Sequence, residues 1–126
     1  MIDFNNLNGK SLSQWESLWK PLGALSQKKI MSYKSIGLYK VILNNEIVYI
    51  GRAVEFNNGG LSKRLNDYVR NSDSGRKSSA CCKMFAYRNL LNIEILEVGC
   101  RKEDVALVKL LERIYIYDLN PKWNID

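Results

Sequence analysis

Two strand-like segments joined by an Asn-Asn pair constrain this chain more than any other feature. The first opens with Gly37-Leu38-Tyr39 and the second closes with Tyr49-Ile50-Gly51. Between them, Lys40-Val41-Ile42-Leu43, Asn44-Asn45 and Glu46-Ile47-Val48 read as strand, reversal and strand. Asparagine tolerates the positive φ of a tight hairpin turn, although Asn-Asn is a weaker signal than Asn-Gly. A hairpin here sets Tyr39 and Tyr49 on neighbouring strands, each close to a glycine, Gly37 or Gly51. Taken alone, two such strands need do no more than pack a sheet.

The remaining pattern extends that hairpin into a core. It predicts strands over 37–43 and 46–51, a loop, a helix over 61–71 and a polar loop over 72–78. A helix over 79–90, a strand over 92–98, a helix over 102–118 and a short tail follow. The third strand rests on the partial alternation of Ile93, Glu94, Ile95 and Glu97. The expected fold is α+β, a small three-stranded antiparallel sheet flanked by helices. Residues 1–34 read as an N-terminal extension packed on a core of residues 35–126. There Ser11 caps a short helix carrying Trp15, Leu18 and Trp19 on one apolar face, which Pro21 and Gly23 end. Length and apolar content, 126 residues and 46%, suit one modest core.

The formal charge is +6 and is unevenly spread. Between Gly60 and Arg88 lie seven basic residues (Lys63, Arg64, Arg70, Arg76, Lys77, Lys83, Arg88) against two acids, Asp67 and Asp73. Such a concentration suits a polyanion such as DNA, against the plainer alternative of a solvated helix face. Lys28, Lys29 and Lys34 add to the same charge. The three cysteines, Cys81, Cys82 and Cys100, form no Cys-x-x-Cys pair, and the chain has no histidine, which argues against zinc. An odd cysteine count and a polar start fit a reducing, cytoplasmic setting, with Cys81 and Cys82 as small core residues. No window is apolar enough to span a membrane.

The missing histidine removes the commonest general base. Histidine-metal nucleases, His-pair ribonucleases and Ser-His-Asp hydrolases are excluded together. Phosphodiester hydrolysis would then fall to Tyr, Lys or carboxylate groups, with a metal neutralising charge on the phosphate. Glu112 is the sharpest single residue. On a helix over 102–118 it shares a face with Val105, Val108 and Tyr115. A carboxylate on a largely apolar stripe is costly unless it is paired or holds a metal; the plainer option is an ion pair with Lys109 or Arg113. Arg64 and Tyr68, four apart on one helix, share another face. Arg64 is a bidentate phosphate ligand by type, or else a partner of Tyr68 or Asp67.

Taken in order, these residues resemble the GIY-YIG nuclease family. The resemblance rests on Gly37-Leu38-Tyr39, Tyr49-Ile50-Gly51, Arg64 with Tyr68, Glu112, and Asn124 in Asn120-Pro121-Lys122-Trp123-Asn124. It departs in Leu38, where the family has Ile, and in extra residues between Gly51 and Arg64. It implies that residues 35–126 form a GIY-YIG-like nuclease domain and that Glu112 binds one Mg²⁺ (or Mn²⁺). Arg64 would bind the scissile phosphate. Tyr39 would be the general base or its relay, made more acidic by nearby positive charge, so that activity rises from about pH 6 to 9. Tyr49 would orient the water or support the relay, and Tyr68 would hydrogen-bond the phosphate or nucleophile. Arg52 would be a secondary phosphate contact, joined by Lys63, Arg70, Arg76, Lys77, Lys83 and Arg88. Gly37 and Gly51 would permit close packing or strand bends, and Asn124 would support the surroundings of Glu112.

The implied activity is a metal-dependent endonuclease that hydrolyses DNA phosphodiester bonds. The alternative is a nucleic-acid-binding module that keeps the fold and cleaves nothing; a third option is a partner-binding protein using the Trp15/Trp19 face. The chain stops shortly after Asn124, so the expectation is that specificity comes from the extension, the 53–60 loop or the 72–78 loop. Weak specificity, a homodimer and a larger assembly all stay open.

Overall fold

The computed structural model describes residues 2–25, 33–68 and 79–124. Expectations for Lys28, Lys29, Arg70, Arg76, Lys77 and the 72–78 loop lie outside them. The predicted hairpin forms. Strand β2 (Ile36–Leu43) pairs antiparallel with β3 (Glu46–Ala53), with Tyr39 opposite Gly51. Asn44 and Asn45 both take positive φ, 53° and 64°, the conformation that lets a two-residue turn follow the twist of its strands. Strand β4 (Asn92–Gly99) lies on the other side of β2.

The sheet has four strands, not three. Its order is β1-β4-β2-β3, and the added strand β1 (Lys20–Ala24) comes from the N-terminal segment, antiparallel to β4. Pro21 and Gly23, expected to end a helix, sit inside this strand. An edge strand can take a proline because one row of its N–H groups has no ladder partner, and the register shifts between Pro21 and Gly23. The preceding helix α1 is correspondingly short, Leu12–Glu16. Its capping box is complete: Ser11 Oγ accepts from the Gln14 N–H at 3.1 Å, and Gln14 Oε1 accepts from the Ser11 N–H at 2.7 Å. Trp15 is buried and Trp19 half-buried, whereas Leu18, expected on the same apolar face, is exposed.

Helix α2 (Gly60–Asp67), α3 (Ser79–Ala86) and α4 (Val105–Leu119) complete the described fold, with short 3-10 turns at Lys102–Asp104 and Lys122–Asn124. Side chains alternate across the sheet and build a core on each face. One contains Tyr39, Val41, Val48, Leu61, Leu65, Tyr68, Met84 and Trp123. The other contains Ile36, Leu38, Ile50, Leu96, Leu107, Val108, Leu111 and Trp15. Lying between two neighbours and two cores, β2 is buried from Ile36 to Val41. Lys40 reaches the second face, where Glu16 and Glu94 lie 3.8 and 3.7 Å from its Nζ and the Trp19 ring 4.3 Å away. Glu16 also accepts from the Tyr115 hydroxyl at 2.7 Å. These contacts tie α1 to the sheet and to α4. Of the cysteines expected in the core, Cys81 packs against it, but Cys82 is exposed.

Candidate active site

The first-face core brings three tyrosines together. Tyr39 projects from β2, Tyr49 from β3 and Tyr68 from the C-terminal end of α2. The ring centre of Tyr39 is 6.1 Å from that of Tyr49 and 6.0 Å from that of Tyr68. The hydroxyls of Tyr39 and Tyr68 are hydrogen-bonded to each other. Tyr39 and Tyr68 are only 1% and 4% exposed, whereas Tyr49 is half-buried, so Tyr49 presents the group to solvent.

Gly51 explains how a tyrosine fits at position 39. A Cβ at Gly51 would collide with the Cζ and hydroxyl of Tyr39, so the glycine is the shelf on which that ring lies. Gly37 serves a similar end in the backbone: a Cβ there would run into the Leu96 carbonyl of β4. Asn124 grips β3 between the motif residues. Its Nδ2 donates to the Ile50 carbonyl at 2.8 Å and its Oδ1 accepts from the Ile50 N–H at 2.9 Å. Because β3 is an edge strand, these peptide groups have no ladder partner on that side, and the asparagine amide supplies one. Asn124 thus supports the strand that carries Tyr49 rather than Glu112.

Arg64, from α2, lies beside the tyrosines. Its Nη2 donates to both carboxylate oxygens of Glu55, each at 3.2 Å. Asp67, suggested by sequence as its partner, instead pairs with Lys63 at 3.9 Å. Burial opposes the charge of Arg64, but the facing Tyr39, Glu55 and Tyr68 groups outweigh that and raise its pKa, so it is a permanent cation.

Glu112 arrives from the other face. Helix α4 packs on β2 and β3, and the Glu112 side chain, 13% exposed, meets Arg52 of β3, with Arg52 Nη1 2.6 Å from Glu112 Oε1. Sequence reasoning offered Lys109 or Arg113 as its ion-pair partner. Those residues neighbour it along the chain, whereas Arg52 is a neighbour only once α4 has docked.

The expected acidity of Tyr39 is reversed. Burial, then Tyr68 and Tyr49, hold its hydroxyl well above the ordinary tyrosine range, and Arg64 offsets this only in part. Tyr49 is raised by burial and then by Cys81 and Glu112, and Tyr68 by burial and then by Tyr49. All three are neutral near pH 7.

The other described cations of the basic stretch, Lys63, Lys83 and Arg88, have contacts of their own. Lys83 lies 5.8 Å from the Trp123 ring, and Arg88 lies 4.0 Å from the Phe85 ring and donates to the Phe85 carbonyl at 2.7 Å. Glu55 was missed by sequence reasoning. It sits in a loop nine residues before Arg64, where no periodicity links the two, and only its charge could have drawn notice.

As to a cation, no group of three or more Cys, Asp or Glu side chains gathers among the described residues. Glu112 offers one carboxylate, with Oε1 taken by Arg52. A single oxygen donor fits a hard ion that keeps most of its water, as magnesium does, and does not fit zinc.

This sheet, with its helices and its paired tyrosine strands, is the GIY-YIG nuclease fold. The chain is similar to the GIY-YIG N-terminal endonuclease domain of UvrC from Thermotoga maritima. A point mutant of that domain bound to its catalytic divalent cation superposes with a TM-score of 0.55 at 23% identity, over 79% of this chain and 93% of that one. The magnesium-bound form gives a TM-score of 0.54 at 22% identity, over 78% and 93%. No protein-family model and no curated protein matches the sequence. At this identity the likeness establishes the fold, and chemistry has to be argued from the chain's own residues.

Proposed function

We propose that this chain is a metal-dependent endonuclease that hydrolyses DNA phosphodiester bonds, with one Mg²⁺ or Mn²⁺ on Glu112. The observation that carries the reading is the packing of Tyr39 against Tyr49 and Tyr68, with Arg64 one helical turn before Tyr68 and Glu112 paired to Arg52 of the strand that carries Tyr49. A sheet core needs no cluster of three phenols around a half-buried guanidinium. Arg64 binds and charge-stabilises the scissile phosphate. Tyr49, the most exposed of the three clustered phenols, meets the incoming water. Tyr39 is a relay and not a stored base: neutral and buried, its hydroxyl acts through the hydrogen bond to Tyr68. When bound, the cation supplies charge neutralisation at the phosphate and acidifies water. Arg52 orients Glu112, the carboxylate that would hold the cation, and is itself placed as a secondary phosphate contact. Lys63, Lys83, Arg88 and their neighbours in sequence supply sequence-independent attraction to DNA. The odd cysteine count favours a cytoplasmic site of action.

Incubation with supercoiled plasmid and Mg²⁺ tests the reading. The wild type nicks or linearises it, chelator stops the reaction, and Glu112→Ala abolishes cleavage with DNA affinity retained. Exposed on the Arg52 side, the lost ion pair should cost no more than about 1 kcal/mol of stability. A Glu112→Ala protein that cleaves at the wild-type rate removes the metal-site assignment. A wild type that binds DNA and never cuts it leaves a binding module in this fold.

A further inference from the structure

The connection between Gly51 and Arg64 carries extra residues relative to the family pattern, and the nuclease reading gives them no task. The structure gives one to Glu55. Its backbone is fixed by the turn that starts α2, because the Glu55 carbonyl accepts from the Asn58 N–H at 3.2 Å and the Gly60 N–H at 3.1 Å. From that anchor its carboxylate takes both hydrogen bonds from one nitrogen, Nη2 of Arg64. Nη1 of Arg64 makes no hydrogen bond to the described residues, and Nε is buried without an acceptor. The guanidinium is therefore held at one nitrogen by a residue of its own loop, beside Tyr39 and Tyr68, while Nη1 stays open to an incoming anion.

We infer that Glu55 is a positioning residue, holding the Arg64 guanidinium ready for a substrate phosphate. The inference rests on the role of Arg64 in the proposed function. Among the described residues the Glu55 carboxylate is hydrogen-bonded to Arg64, so it acts through Arg64. Its negative charge also sets two roles against each other. A carboxylate that merely repelled DNA would, on removal, leave the enzyme binding more tightly and cutting faster. A positioning carboxylate would, on removal, leave binding intact or slightly tighter and turnover slower.

The test uses Glu55→Ala and Glu55→Gln, each alone and with Arg64→Ala. With DNA saturating, Glu55→Ala should lower turnover about 10–100-fold, the range expected when a binding group is misplaced by about an ångström, without raising the KM. Glu55→Gln retains an acceptor oxygen and should recover part of the loss. In the Arg64→Ala background, removing Glu55 should cost nothing further. Faster cleavage by Glu55→Ala, or an equal further loss in the double variant, overturns the inference. A readout independent of cleavage is NMR of the ¹⁵N-arginine-labelled protein without DNA. The Arg64 side chain should show slowed rotation and a protected Nε–H in the wild type, both lost in Glu55→Ala. An Arg64 signal unchanged by that substitution overturns the inference even if the wild type cleaves no DNA, an outcome that would by itself count against the nuclease reading alone.

Discussion

Replacing Tyr39 by Phe removes one oxygen from the most enclosed part of the site and leaves its shape intact. The ring still fills the shelf over Gly51, so no cavity opens. The loss falls on Tyr68, whose hydroxyl keeps its burial and loses its partner. Leaving a buried hydroxyl unpaired costs about 1–3 kcal/mol. Part of that is offset because the Tyr39 hydroxyl is no longer buried. The net expectation is about 1–2 kcal/mol, or roughly 3–8 °C in Tm for a chain of this length, which is too little to unfold the domain. Activity should suffer far more, about 10²–10⁴-fold, because the relay loses its central hydroxyl. Tyr49→Phe should lose less if it only orients water. Single-turnover cleavage in Mg²⁺ with calorimetry of the same proteins separates the two effects. Because burial holds Tyr39 and Tyr68 above the ordinary range, neither ionises between pH 6 and 9, and the activity rise expected from sequence should not arise from Tyr39. A Tyr39→Phe enzyme within a few-fold of wild type would reduce Tyr39 to core packing. A pH inflection in that window that vanishes in the variant would show that Tyr39 does ionise and refute the relay.

Arg64→Ala should lower turnover at saturating DNA, whereas Arg88→Ala should weaken binding and reduce the salt slope by about one; equal, affinity-type losses in both would make Arg64 an ordinary phosphate contact. Asn124→Ala leaves both Ile50 peptide groups unpaired at the β3 edge and should cost about 1–3 kcal/mol in denaturant unfolding, with cleavage falling as Tyr49 loosens. Burial raises the folded pKa values of Tyr39, Tyr49, Tyr68 and Tyr115 above the ordinary tyrosine value of 10.0, so the unfolded chain gives up phenol protons first. The stability these groups contribute is full below pH 10 and falls as pH rises above it; a melting temperature that holds steady or rises from pH 9 to 11 would refute that sign.

Much of the fold, and the local pieces of the candidate site, were legible in residue order. Periodicity set the β2–β3 hairpin, the reversal at Asn44-Asn45, and the placing of Arg64 and Tyr68 on one helix, because turn chemistry and side-chain spacing act over a few residues. Residue types narrowed the proposed chemistry, since a chain without histidine leaves phenol, cation and carboxylate groups to carry it. What the sequence hid depends on contacts across the fold. Pro21 and Gly23 look like a helix stop, and become an edge strand only because β4 offers a partner on one side. Leu18 and Cys82 look like core and face solvent: α1 ends at Glu16, before it reaches Leu18, and which flank of α3 is covered is decided by what docks on it. Arg52 and Glu55 were a phosphate contact and an unremarked loop residue. They became the partners of Glu112 and Arg64 once helix docking and the loop's turn brought opposite charges within reach. The acidity of Tyr39 turned on the same point: Arg64 favours ionisation, and burial in the assembled core, together with Tyr68 and Tyr49, outweighs it.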